Sequence, residues 1–336
     1  MKTDKILLDH GSGGKMAHQL TTEVLMPMFE NPFLAQLHDG AIFEVNGGRL
    51  AFSTDTFVVD PIFFPGGDIG DLAVNGTVND LSMCGAVPRY LSMGLILEEG
   101  LPMADLERVL KSVRNALDRA GVLLVTGDTK VVPRGAADRI FINTSGIGVI
   151  PDGVNIGSEG AAPGDCVILS GTMADHGIAV LTQREGLRFE SDVTSDTAPL
   201  NGLVEAILKV CSDVHVLRDP TRGGVGTALN EIAEQSNVGV VLQEEKLPVS
   251  KTVAGICELL GFDPIYLANE GKLLCFVPGD RAEDVLAAMR QNEFGRDACV
   301  IGRVVAENPG RVVMETAIGG QRIVDMLAGE QLPRIC

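Results

Sequence analysis

The chain has 336 residues, with 27 lysines and arginines against 45 aspartates and glutamates and a formal charge of -18. Such a charge repels polyphosphate backbones and anionic lipid, so nucleic acid and membrane surfaces are not expected partners. No apolar run approaches the ~18 residues of a membrane span, and the first residues carry no leader-like stretch, so the expected location is cytoplasmic.

Hydrophobic residues make up 45% of the chain and glycine occurs 40 times. These proportions describe a turn-rich globular protein, and its length favours two domains of about 150 residues each. Residues 49–59, "RLAFSTDTFVV", alternate as a strand, and 67–86, "GDIGDLAVNGTVNDLSMCGA", follow as a glycine-entered helix. "RYLSMGLILEEG" reads as a strand, 103–121 as a helix stopped by glycine, and "VLLVTGD" and "DRIFINTSGIGVI" as strands that close a first unit. The Gly- and Pro-rich segment 151–165 reads as a linker. Beyond it, strands are expected at "CVILSG", "VGVVLQ", "KLLCFVPG", "ACVIGRVV" and "GRVVMET", with helices near 174–185, 199–210, 221–236, 251–260 and 281–292. This order mixes hairpin-like neighbours with helices, so two α+β or α/β layers are expected rather than a doubly wound sheet. The domains expected are 1–155, 156–326 and a mobile tail over 327–336.

Cys84, Cys166, Cys211, Cys257, Cys275, Cys299 and Cys336 form neither CxxC pairs nor a disulfide framework. Most lie in apolar runs and read as small core residues. Cys336 differs, because it closes the sequence in "LPRIC", where a thiol is expected to be exposed.

Four aspartates sit in turns or at strand ends: Asp55 in "FSTDTFV", Asp80 in "NGTVNDLSMCGA", Asp128 in "VTGDTKVV" and Asp219 in "LRDPTRGG". Singly, each reads as a turn-former or helix cap. Together they are hard oxygen ligands suited to magnesium carrying a nucleotide. "HGSGGK", from His10 through Gly11, Ser12, Gly13, Gly14 and Lys15, can turn successive amides toward an anion. It is not a Walker loop, since Met16 follows the lysine where serine or threonine is required. "DPTRGGVG" offers a second anion site, with Thr221 as the expected cap of the following helix, Gly223 and Gly224 baring its amides and Arg222 adding charge. Thr129 and Lys130 follow Asp128, where the lysine either contacts a phosphoryl group or neutralises acid. Glu270 and Lys272 in "LANEGKLLCF" read as a salt-bridged turn or a general base, and His176 in "GTMADHGIAV" as structural.

The set "HGSGG", "STDTFVVDPIFFPGGDIG", "NGTVNDLSMCGAVPRYLSMGLILEEGLP", "VTGDTKVV", "RDPTRGGVGTALNEIA", "CELLGFDPIYLANEGKL" and "PRIC" resembles the HypE family of hydrogenase maturation proteins over residues 10–336. That family is similar in turn to the ATP-using aminoimidazole ribonucleotide synthetase (PurM-like) superfamily. The resemblance implies a two-domain fold whose N-terminal sheet dimerises into a barrel-like interface near the nucleotide. It implies ATP and Mg2+ as cofactors, with Asp55, Asp80, Asp128 and Asp219 as the metal and phosphate set. Gly11 to Lys15 become a lid, and Thr129, Thr221, Arg222 and Gly223 further nucleotide contacts. The implied activity is ATP-dependent dehydration of a carbamoyl group on Cys336 to a thiocyanate that supplies cyanide to the iron of nickel–iron hydrogenase. Lys130 would then serve the phosphoryl group and Glu270 would be the base. HypF is the implied carbamoyl donor and a HypC–HypD complex the cyanide acceptor. A selenophosphate synthetase would carry cysteine or selenocysteine in its lid, and a thiamine-phosphate kinase needs no thiol at the chain end. The rival of another class is a carrier that binds ATP only to lock its tail.

Overall fold

The computed structural model describes residues 5–11, 13–29, 31–184, 191–329, 332 and 334–336. A short helical arm opens it, with α1 (Lys15–Leu20) and α2 (Met26–Phe29) joined by a π-helical turn. Strands β1 (Ala41–Val45) and β2 (Gly48–Phe57) form an antiparallel hairpin, and the two-residue strands β3 (Phe63–Phe64) and β4 (Gly67–Asp68) lead into α3 (Ile69–Met83). Then come β5 (Val87–Glu98), α4 (Met103–Ala120), β6 (Leu123–Val132) and β7 (Ile140–Ile150). The sheet runs β1-β2-β7-β5-β6, with a parallel pair only at β5–β6.

Helix α3 does not enter on glycine, as the sequence suggested, but on a capping box. Asp68 accepts the Gly70 and Asp71 amide hydrogens, and Asp71 accepts that of Asp68. Nearly all of α3 is buried, against the sheet, α4 and the C-terminal half. At Gly76 an added Cβ would stand 2.8 Å from the Phe57 ring and 3.3 Å from Asp55 Oδ2, so glycine permits α3 to lie directly on β2. Asp80, one turn further along the same face, consequently meets the inward side chains of β2.

The outer face of this sheet is bare. Phe52, Ile147, Tyr90 and Leu123 are cross-strand partners in one row, and each is exposed. A second row, Thr56, Asn143, Gly94 and Asp128, runs beside it on that face.

The C-terminal half contains β8 (Asp165–Leu169), α5 (Asp175–Leu181), α6 (Asn201–Val210), β9 (Val216–Arg218), α7 (Gly224–Gln235), β10 (Gly239–Gln243), α8 (Lys251–Leu260), β11 (Leu274–Pro278), α9 (Ala282–Gln291), β12 (Cys299–Val305), β13 (Arg311–Glu315) and β14 (Gln321–Val324). Its sheet runs β14-β13-β10-β12-β8-β11-β9, parallel only at β10–β13. These are the mixed α+β layers expected. The halves share apolar core, since Leu81, Met83 and Cys84 pack with Leu200, Leu203, Leu273 and Cys275. Among the described residues no helix is long and apolar enough to cross a membrane.

Candidate active site

Asp39, Asp80 and Asp219 converge where the two halves meet. One carboxylate oxygen of each lies within 4.8 Å of the others. Asp80 arrives from α3, Asp219 from the end of edge strand β9, and Asp39 from the turn before β1. The Ser53 hydroxyl donates to Asp80 Oδ2 at 2.6 Å and lies 2.9 Å from the Asp39 carbonyl oxygen. Arg218 holds the other side of the cluster, 3.0 Å from Asp39 Oδ1 and 2.7 Å from Glu231 Oε2. Asp39 Oδ2 is left without a hydrogen-bond partner, the nearby His38 Nδ1 being 3.7 Å away.

Burial, then Asp39, pushes the Asp219 carboxyl up to about 8, while Arg218 opposes the shift. Asp80 is raised well above the ordinary carboxylate range by burial and by Asp219, Asp55 and Asp39. Asp55, on the same inward face of β2 as Ser53, is also raised by burial, with Arg222 opposing. Buried acids with an orphaned oxygen fit a divalent cation, which offsets their repulsion and takes hard oxygen donors. Asp39, which the sequence did not single out, stands with Asp80 and Asp219 as a set that could hold such a cation.

The two glycine-rich stretches singled out in the sequence meet here. Arg222 Nη1 donates to the Gly11 carbonyl oxygen at 3.0 Å, and a Cβ on Gly13 would stand 2.6 Å from the Arg222 carbonyl oxygen. The Lys15 amide donates to the Leu327 carbonyl oxygen at 2.8 Å, tying the loop to the start of the tail. Ser12 lies outside the described residues. Thr221 does not cap α7 through its side chain. Gly223, in the left-handed region at φ 81, is the N-cap, and the Thr221 carbonyl oxygen accepts from Gly224 N. A residue with a Cβ is strained at that φ, and here the Cβ would also stand 2.5 Å from Thr227 Oγ1.

The last residues are docked. The Val58 amide donates to the Cys336 carbonyl oxygen at 3.0 Å and that of Asp60 to Arg334 at 3.2 Å, so 334–336 lie alongside 58–60. Cys336 is 8% exposed. Its thiol sits in the field of Arg222, Glu270 and Asp55, and burial above all drives it far above the usual thiol range. Glu270 is raised well above the ordinary range by burial and by Asp55, Asp219 and Asp196, with Arg222 opposing, and its Oε1 has no hydrogen-bond partner. Asp196 fixes the Glu270 backbone by accepting its amide hydrogen at 2.9 Å, while Lys272 Nζ sits 3.0 Å from Asp196 Oδ2. Lys272 is thus engaged in a buried ion pair rather than aimed at the thiol.

Asp128, Thr129 and Lys130 are elsewhere within the chain. They lie on edge strand β6, where Lys130 pairs with Asp128 in solvent and the Thr129 amide donates to Asp128 Oδ1 at 2.8 Å. Asp128 shares the bare outer face with Thr56, whereas Asp55 points the other way. One chain therefore brings together Asp55, Asp80, Asp219, Arg222, Glu270 and Cys336, and leaves the Asp128–Lys130 pair apart.

Residues 37–150 match the AIR synthase related protein, N-terminal domain, and residues 162–315 match the corresponding C-terminal domain. "Carbamoyl dehydratase HypE" of Azotobacter vinelandii is 51% identical, with 100% of this chain and 98% of the relative covered. The chain is also similar to a solved HypE–HypF complex, at a TM-score of 0.87 and 48% identity, covering 92% of this chain and 99% of that one. A HypE structure in complex with ATP gives a TM-score of 0.83 and 54% identity, with 99% and 100% covered.

The raised carboxyl of Asp219 makes stability depend on pH. Without cation or nucleotide, the folded protein holds that proton up to about pH 8, whereas the unfolded chain releases it near the ordinary value of about 4. The contribution is complete below the unfolded value and is lost as pH rises through the folded one. Urea denaturation in EDTA is expected to show stability falling between about pH 5 and about pH 8, and Asp219→Asn is expected to flatten that slope. Parallel profiles for the two proteins would contradict the assignment.

Proposed function

The chain belongs to the HypE family, and from that membership we propose that it dehydrates a carbamoyl group carried on the Cys336 sulfur to a thiocyanate at the expense of ATP. The observation carrying this reading is the burial of the Cys336 thiol between Glu270 and Arg222, beside the aspartate cluster. A neutral sulfur is what this pocket favours, since burial raises the thiol and opposes a thiolate. Loading with carbamoyl thus belongs to the undocked tail and dehydration to the docked one. HypF, present in the similar complex, is the proposed loader. A HypC–HypD complex is the proposed acceptor of the cyanide destined for the hydrogenase iron.

A thiocarbamate does not lose water unaided, because its oxygen is a poor leaving group. Attack of that oxygen on the γ-phosphorus of ATP releases ADP and leaves the oxygen as part of a phosphate ester. Loss of one N–H proton forms the C=N bond; loss of the second, with departure of phosphate, forms the nitrile. The balance is thiocarbamate plus ATP to thiocyanate, ADP, phosphate and a proton. Glu270 is the proposed base, its raised affinity for protons making it the stronger acceptor once ionised. Arg222 supplies positive charge beside the sulfur-bound group, and the α7 N-terminus and the 11–15 loop supply amides for the phosphates. Asp39, Asp80, Asp219 and Asp55 would hold magnesium, which when bound offsets charge on the nucleotide phosphates.

The bare row Phe52, Ile147, Tyr90 and Leu123 is the proposed dimer contact, an apolar sheet face of the kind that associates. Asp128, Thr129 and Lys130 stand on the same face and join the nucleotide site only in a dimer closed over it.

Glu270→Gln is expected to bind ATP normally while slowing single-turnover thiocyanate formation by about a hundredfold or more. An unchanged rate would remove Glu270 from the role of base. Ile147→Glu is expected to yield monomers in sedimentation velocity where the parent sediments as a dimer, and identical sedimentation of the two would contradict the proposed contact.

A further inference from the structure

His176 is a buried nitrogen base that the reaction above does not use. Its ring is fully buried and stands edge-on to Phe64, with centroids 5.5 Å apart. Nε2 lies 2.8 Å from the Ile335 carbonyl oxygen and Nδ1 lies 2.8 Å from Ser195 Oγ. A carbonyl oxygen only accepts, so Nε2 must carry a proton. Burial holds the imidazole below its ordinary pKa, so the ring is neutral and Nδ1 accepts from the Ser195 hydroxyl. Ser195 is itself fixed, its amide donating to Pro65 O at 2.8 Å and its Oγ accepting the Thr197 amide hydrogen at 3.1 Å.

The same turn is bound to the segment that carries Glu270. The Gly177 amide donates to the Ala268 carbonyl oxygen at 3.2 Å and the Ala174 amide to Asn269 Oδ1 at 2.7 Å. His176 thus connects the backbone just before Cys336 with the backbone just before Glu270.

Resting on the proposed function, we propose that His176 is a positioning residue, a latch whose Nε2–H holds the Ile335 carbonyl and keeps the tail docked with Cys336 against Glu270, Ser195 fixing the tautomer that makes it a donor. The latch grips main chain, so it takes the thiol, the thiocarbamate and the thiocyanate alike. It governs how long the tail stays docked and takes no proton in the chemistry. Release of this bond is then part of what a loading or accepting partner must bring about.

The test is alkylation of Cys336 by iodoacetamide in the ATP-bound full-length protein, read by peptide mass analysis so that the other cysteines do not interfere. A buried thiol is alkylated through its undocked fraction, so the rate reports that equilibrium. His176→Phe keeps the ring volume and removes the donor, and is expected to accelerate labelling about tenfold, the worth of one hydrogen bond. His176→Gln, which restores an N–H near the Nε2 position, is expected to recover most of the protection. Ser195→Ala, a milder change that leaves the ring in place, is expected to accelerate labelling by a smaller factor. Unchanged labelling in His176→Phe and Ser195→Ala would overturn the proposal, as would equal acceleration by Phe and Gln. Should His176→Phe not fold, Ser195→Ala alone decides. The readout involves no dehydration, so a protein that never forms thiocyanate would contradict the proposed function while leaving the latch to stand or fall on labelling.

Discussion

Five carboxyl groups from five separate segments, Asp39, Asp55, Asp80, Asp219 and Glu270, are pressed together where the two halves meet, with Arg218 and Arg222 set against them. Mutual repulsion and loss of water make such a cluster costly in its ionised form. Asp55, Asp80, Asp219 and Glu270 therefore favour their protonated forms, and in the proposed function a bound cation would offset the repulsion. Much of the architecture serves to keep these acids close in spite of the cost. Gly76 lets α3 lie on β2, Ser53 holds Asp80, and the Glu231–Arg218–Asp39 chain fixes the third carboxylate. The shared core of Leu81, Leu203 and Cys275 binds the halves that carry opposite sides of the site.

The same scarcity of water bears on the proposed use of Cys336. In the docked position the sulfur is buried and disfavours a thiolate, which guards it from oxidation and from attack. In the proposed function the undocked thiol, back in water, is the form that accepts the carbamoyl group. The short pairing of 334–336 with 58–60, reinforced by Arg184 Nη2 at 2.9 Å from the Arg334 carbonyl oxygen, is mostly main chain and so tolerates a changing group on sulfur. In the proposed function, a docked tail would bring its group to the aspartate cluster without a separate binding pocket for a free substrate.

Local patterns were legible in the sequence wherever a single segment decides the outcome. Strands β2, β5, β7 and β11 and helices α4 and α7 lie where alternation or helical spacing put them, and α4 stops at Gly121 in the left-handed region. What escaped depends on distant partners. Asp39 in "LHDG" looks like a turn-former until Asp80 and Asp219 are folded against it. Thr221 looks like a cap because nothing local reveals that Gly223 bends the chain two residues later. β9 has three residues, too few for a periodic signal, and exists through its pairing with β11. His176 reads as structural from its place at a helix start, and its contact with Ile335 joins segments far apart in the chain. The resemblance groups Asp128 and Lys130 with Asp55, Asp80 and Asp219, yet strand alternation turns them to the opposite face of the sheet, a distinction that needs the sheet register.

The most direct measurement of the central claim is intact-protein mass spectrometry after incubation with HypF, carbamoyl phosphate and ATP, followed by magnesium-ATP alone. The account predicts a carbamoyl adduct on Cys336 that loses one water only when magnesium-ATP is supplied. A carbamoyl adduct that persists unchanged through repeated ATP turnover would contradict it, and would leave the protein a carrier of a group finished elsewhere.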